Sequence, residues 1–179
     1  KLYVLKALLS EVEAGRRHLS DVVRLKDHVR SLPSGLLQSW PNNSPITLAT
    51  LAALMISKSD NTATDLLIYE LGRELIEQGA PEGMRPLLTT REAFLLKWGD
   101  HLEQRERFKE GKEQKKRAVL KELASAPLAE LSPSVSPIEI ERVEWRASAR
   151  ELCEVMWSLR ESEYVSINPG LVDLKSSSW

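Results

Sequence analysis

The sequence predicts a mainly α-helical chain, and three observations carry that expectation. Apolar residues recur at helical spacing in several separate stretches. Three sites have the residue pattern of a helix start: Thr47 ahead of LATLAALMIS, Thr89 with Glu92 three residues on, and Ser148 with Glu151 three residues on. Sustained apolar–polar alternation, the mark of a half-buried strand, is missing.

Taken in order, the first helix spans Lys1 to Ala14. Leu2, Leu5, Leu9 and Val12 share one stripe with Leu8 beside it. Gly15 supplies a stop, and Arg16 and Arg17 lie near the negative end of the helix dipole. No capping residue precedes Leu2 and no initiator Met is present, so the chain reads as the middle of a longer protein. Leu19 to Leu32 carries a second helical pattern, closed by Pro33-Ser34-Gly35. Residues 33–46, with three prolines, suit a loop or short hairpin.

Thr47 then caps an almost wholly apolar helix that should be buried on most sides. Ser59-Asp60-Asn61 breaks it, and a further helix runs from about Ala63 to Leu71, with Asn61 or Thr62 as cap. A short amphipathic piece follows at Glu74–Gln78, and helix resumes after Thr89 through Trp98. Residues 103–122 hold eight Lys or Arg and five Glu, the composition of a solvated helix or helix–loop, with Phe108 and Ala118–Leu120 as its main apolar points. Residues 123–137, with three prolines and four serines, form an internal loop of one incomplete domain over 1–179. Ser148 caps the helix RELCEVMWSLR, and Asn168-Pro169-Gly170 makes a late turn.

Composition narrows the function classes. A length of 179 residues, with 42% hydrophobic and 28% charged, suits one folded domain or a large part of one. Twenty-five basic against 26 acidic residues argue against nucleic acid as a partner. No apolar run approaches the roughly 18–20 residues of a membrane span. Cys153 stands alone, which excludes an intrachain disulfide, and within its amphipathic helix it reads as a small buried hydrophobe. His18, His28 and His101 have no metal-ligand spacing, and no Gly-rich phosphate loop occurs, so neither metal nor cofactor is expected. The tryptophans read as packing residues, with Trp40 a candidate to line a cleft.

Chemistry concentrates in MISKSDNTATDLL, Met55 to Leu67. Ser-Asp-Asn between two helices can be a simple interhelical turn, with Asp60 bonding nearby amides. The same tripeptide also belongs to the motif set of class A β-lactamases and penicillin-binding proteins, beside S-x-x-K and K-T-G. Lys1-Leu2-Tyr3-Val4-Leu5-Lys6-Ala7-Leu8-Leu9 resembles the apolar continuation of the S-x-x-K helix, with Lys1 as the motif lysine and the serine three residues ahead of it. The order that follows is also similar: Gly turn, proline-rich loop, Thr-capped apolar helix, S-D-N, T-A and a Leu-rich helix, in register over about 72 residues. Pro-Leu-Leu-Thr-Thr-Arg-Glu and Val-Glu-Trp-Arg-Ala-Ser resemble a divergent branch of that family.

The resemblance implies the helical portion of a β-lactamase/transpeptidase-like α/β fold, with the sheet and a K-T-G-like strand outside these residues. It implies a bacterial serine hydrolase that works through an acyl-serine on a small-molecule or peptide-like substrate, exported to the periplasm or beyond. Lys1 would be the base and Ser59 the proton relay. Asn61 and Trp40 would bind substrate, while Asp60 would hold the loop. The Glu-x-x-Leu-Asn motif of class A enzymes has no counterpart here. Glu92 lies in roughly the right region, but its spacing to Thr89 suits a cap. An efficient penicillinase is therefore not expected. The alternatives are a penicillin-binding sensor that stays acylated and a catalytically inactive helical interaction domain.

Overall fold

The computed structural model describes residues 1–128 and 138–160. Among them the chain is helical: α1 (Leu2–Glu13), α2 (Leu48–Ser57), α3 (Asn61–Leu71), α4 (Arg73–Gln78), α5 (Thr90–Trp98), α6 (Leu102–Glu110), α7 (Glu113–Leu123) and α8 (Ala149–Leu159). The described strands are β1 (Val22–Arg24) and β2 (Pro45–Thr47), paired antiparallel with Val23 opposite Ile46.

α1 buries Tyr3, Val4, Leu5, Leu8 and Leu9 against α3 and α8, while Leu2 and Val12 are only partly buried. Gly15 closes the helix at φ +69°, a left-handed turn in which its N–H donates to Val12 O at 2.9 Å. α2 begins where Thr47 Oγ1 accepts from Thr50 N and buries Leu48, Leu51, Ala52 and Met55. Together α1, α2 and α3 carry the main apolar cluster, which puts the start of α1 next to the turn between α2 and α3.

Residues 19–32 are not helical, contrary to their pattern. Val22 and Val23, stiff and β-branched, enter the short strand instead, and a single 3₁₀ turn spans Asp27–Val29. The extended backbone meets a need at α2. The first helical amides have no intrahelical acceptors, and here Asp21 O accepts from Leu48 N at 3.0 Å and Leu19 O from Ala49 N at 2.9 Å. Val23, Leu25 and Val29 still reach the core, so the apolar residues were recognisable although their backbone was not.

The charged stretch folds as a helical hairpin with its own interior. Phe108, Val119, Leu120 and Leu123 pack with Leu88, Ala93, Leu96 and Val143 in a second cluster. Outside it, Arg107 pairs with Glu122 at 2.7 Å, and Arg117 reaches the buried Glu77 at 2.5 Å. Capping boxes stand at Thr89–Glu92 and Ser148–Glu151. Cys153 is exposed, not buried, because α8 turns Val155 and Leu159 inward and Cys153 lies about 200° from Val155 around the helix. The expected 123–137 loop starts at the end of α7, and residues 129–137 and Asn168-Pro169-Gly170 lie outside the described residues. Among the described residues no helix is long and apolar enough to cross a membrane.

Candidate active site

The turn between α2 and α3 is tight enough to force Ser59 to φ +53°, a left-handed conformation that a non-glycine residue adopts at a cost of roughly 1–2 kcal/mol. That conformation turns the Ser59 carbonyl toward two donors. Lys1 Nζ donates to it at 2.6 Å and Ser34 Oγ at 2.8 Å. Lys1 Nζ also donates to Ser59 Oγ at 2.8 Å and to Asn61 Oδ1 at 3.1 Å. Three acceptors thus surround one ammonium, matching its three N–H bonds.

Asp60 is fully buried beneath this cluster. Its Oδ1 accepts from Ala63 N at 2.8 Å, capping α3, a position the sequence had assigned to Asn61 or Thr62. Its Oδ2 accepts from Leu36 N at 2.6 Å and Leu37 N at 3.0 Å. Gly35 makes this approach possible. At φ +125° its backbone passes so close that a Cβ there would stand 2.3 Å from Asp60 Cγ. Asn61 donates from Nδ2 to Leu32 O at 3.2 Å, and its backbone N–H to Ser34 O at 3.0 Å. The 31–37 loop is therefore sewn to Ser-Asp-Asn along its length.

Further from the turn, Asp65 is buried in α3 and accepts from Thr90 N at 2.7 Å and Arg91 N at 2.8 Å, the first amides of α5. Burial drives its pKa up to about 7, with the two backbone donors pulling the other way. Lys1 feels a milder version of the same physics. It is exposed as a residue, yet partial burial of its ammonium lowers its pKa, while the charges of Asp60 and Asp65 raise it.

A cavity of about 390 Å³ opens beside Lys1, Ser59 and Asn61. Its lining also includes Leu87, Leu88, Phe94, Trp98 and Trp145. Trp40 does not line it; this residue follows a 3₁₀ turn at Leu37–Ser39 and is exposed. Nor does Glu92. Its Oε2 accepts from Thr89 N at 2.8 Å and its Oε1 from Arg73 Nη2 at 2.6 Å, so both oxygens are engaged in the cap and an ion pair. Sequence reasoning missed Ser34, Gly35, Asp65, Trp98 and Trp145. The four-residue spacing of Phe94 and Trp98 was a readable signal that they share a helix face. Among the described residues no cluster of His, Cys, Asp and Glu could hold a metal ion.

Comparison with known proteins gives the family of the chain. The family model Beta-lactamase2, described as the beta-lactamase enzyme family, matches residues 1–166. Among solved structures, the beta-lactamase from Sphaerobacter thermophilus DSM 20745 is 35% identical over 44% of this chain and 30% of its own, with a TM-score of 0.42. PBP-A is 34% identical over 44% of this chain and 30% of its own, with a TM-score of 0.41. A PBP-A mutant in acyl-enzyme complex with penicillin G is 33% identical over 43% and 30%, with a TM-score of 0.41. The chain spans 30% of the length of these solved structures. No curated protein matches it. The helices form the helical part of a β-lactamase-like fold, and the chain belongs to the beta-lactamase enzyme family.

Proposed function

We propose that this chain supplies the proton-handling side of a serine acyl-transfer site that opens a β-lactam, ester or amide through an acyl-serine. The observation that carries the reading is the Lys1 Nζ cluster, with Ser59 Oγ at 2.8 Å and Asn61 Oδ1 at 3.1 Å across 58 and 60 residues of sequence. A serine one helical turn ahead of Lys1 is a feeble nucleophile until a base takes its proton. Neutral Lys1 is that base. It keeps N–H bonds to Ser59 O and Asn61 Oδ1 and turns its one lone pair to the nucleophilic serine hydroxyl, whose proton it takes as the serine oxygen attacks the substrate carbonyl. After attack, Lys1 holds the proton and hands it to Ser59 Oγ as the Ser59 hydroxyl proton passes to the leaving nitrogen or oxygen. The second N–H of the Asn61 amide binds the substrate carbonyl.

The engagement of Glu92 with Thr89 N and Arg73 favours slow hydrolysis of the acyl-enzyme, which is the behaviour of a penicillin-binding sensor. The test is intact mass of the full-length protein before and after a β-lactam and an activated ester. A lasting adduct supports the slow or sensor form, and reagent consumed without one supports a turnover hydrolase. Lys1→Ala and Ser59→Ala should each slow acylation by about 100-fold or more. No adduct and no consumption with either reagent would leave a catalytically inactive helical domain.

A further inference from the structure

The cavity beside Lys1 is built for a second task besides exposing the proton relay. Its volume of about 390 Å³ lies in the range of small-ligand pockets, which run from about 300 to 1,000 Å³ and combine apolar walls with a few placed polar groups. Lys1, Ser59 and Asn61, which are bonded to one another, line it together with Ser34, Thr64 and Thr90. The rest of the lining is largely apolar and aromatic. Phe94 and Trp98 stack there with ring centroids 4.8 Å apart and planes within 5°, a rigid shelf on one face of α5. Trp145 also lines the cavity, held in place by its Nε1–H, which donates to Leu88 O at 2.8 Å.

We infer that this shelf is a specificity pocket for the acyl side chain of the substrate, and that it selects an aromatic or bulky aliphatic group over a short or charged one. The inference rests on the acyl-transfer reading for the position of the reacting carbonyl near Lys1 and Ser59. A substrate bound there directs its acyl substituent along the cavity, toward Phe94, Trp98 and Trp145. These side chains are held by stacking and by the indole hydrogen bond before any ligand arrives, so little ordering opposes binding. Leu87, Leu88 and Phe94 offer a charged substituent no hydrogen-bond partner in exchange for its lost hydration, and the one polar atom left over in the aromatic lining, Trp98 Nε1, can donate a single bond.

The experiment compares benzylpenicillin with its N-acetyl analogue, two ligands that differ by one phenyl group and carry the same charge and nucleus. Binding to the full-length protein is followed by NMR shifts of the Trp98 and Trp145 indole N–H signals, and covalent adduct by its intact mass. Burying a phenyl ring predicts about tenfold or more tighter binding of the benzyl ligand. Trp98→Ala, checked for retained helicity by circular dichroism, should cut that ratio to about threefold or less, while Trp157→Ala on the exposed face of α8 should leave it unchanged. Equal binding of the two ligands, or binding of neither, overturns the pocket. Adduct formation is read separately: equal binding with an adduct overturns the pocket and keeps acyl transfer, whereas selective binding with no adduct keeps the pocket and rejects acyl transfer.

Discussion

Replacing Asp60 with asparagine should weaken the fold and, at the same time, push Lys1 toward its neutral form. The carboxylate accepts three backbone N–H bonds, one on Oδ1 and two on Oδ2, and has no solvent access. An amide offers one oxygen. In its better orientation it keeps Leu36 N and Leu37 N and turns its NH₂ against Ala63 N, which loses the cap of α3. One charge-assisted bond is lost, at about 1.5–3 kcal/mol, and a buried donor is left unsatisfied, at about 1–3 kcal/mol. Together these give a destabilisation on the order of 3–5 kcal/mol, a large fraction of a typical domain's stability. Urea unfolding followed by far-ultraviolet circular dichroism measures it directly. The charge change acts on Lys1 in the other sense. Asp60 raises the Lys1 pKa, so its neutralisation lets burial lower that pKa further. The acid limb of the acylation rate should then move to lower pH in whatever fraction stays folded. A variant within about 1 kcal/mol of the parent would refute the reasoning, because three buried backbone donors would then not depend on this carboxylate.

Other outcomes follow from the same geometry. Asp65 has a folded pKa raised to about 7, above its unfolded value, so the folded state holds more protons between roughly pH 4 and 7 and stability falls as pH rises through that window. Asp65→Asn should abolish this slope, read from unfolding midpoints across pH; an unchanged slope would assign it to another group. Ser59→Gly and Ser59→Ala should lose acyl transfer alike, but the glycine variant should be at least as stable, since only glycine relieves the φ of +53°. A less stable glycine variant would show that the turn carries little strain. Glu92→Gln should cost about 1–2 kcal/mol in thermal or urea unfolding through the cap and the Arg73 pair, while the rate of adduct loss stays within about threefold. A large fall in that rate would make Glu92 a participant in hydrolysis.

Much of the architecture was legible because helix starts are written locally. Thr47, Thr89 and Ser148 announce themselves by side chains that bond amides three residues away, and nothing distant alters that. The Leu19–Leu32 stretch failed for the complementary reason. Its apolar spacing suits a helix, but its backbone carbonyls serve α2 and its strand pairs with residues 45–47, partners more than 20 positions away. The site divides in the same way. Ser59, Asp60 and Asn61 are neighbours in sequence and stand out as poor helix-interior residues. Lys1 was recognised by family resemblance alone, because no local rule couples two positions 58 residues apart. Gly35 was read as a turn former, whereas its role depends on the carboxylate that passes beneath it. The aromatic lining stayed hidden because Trp98 and Trp145 come to line one cavity with Tyr3 and Val4 of α1 only once the chain has folded.

Trp145 packs against the α1–α3 cluster, against the α5–α7 cluster, and onto the cavity. The two interiors can open with different free energies, as cooperative subunits of a fold often do. A loosening of the α6–α7 hairpin then has a direct mechanical route to the ligand space, since one indole is common to both. Surface charges on that hairpin, distant from Lys1 in sequence, thereby become a handle on how firmly the pocket keeps its shape.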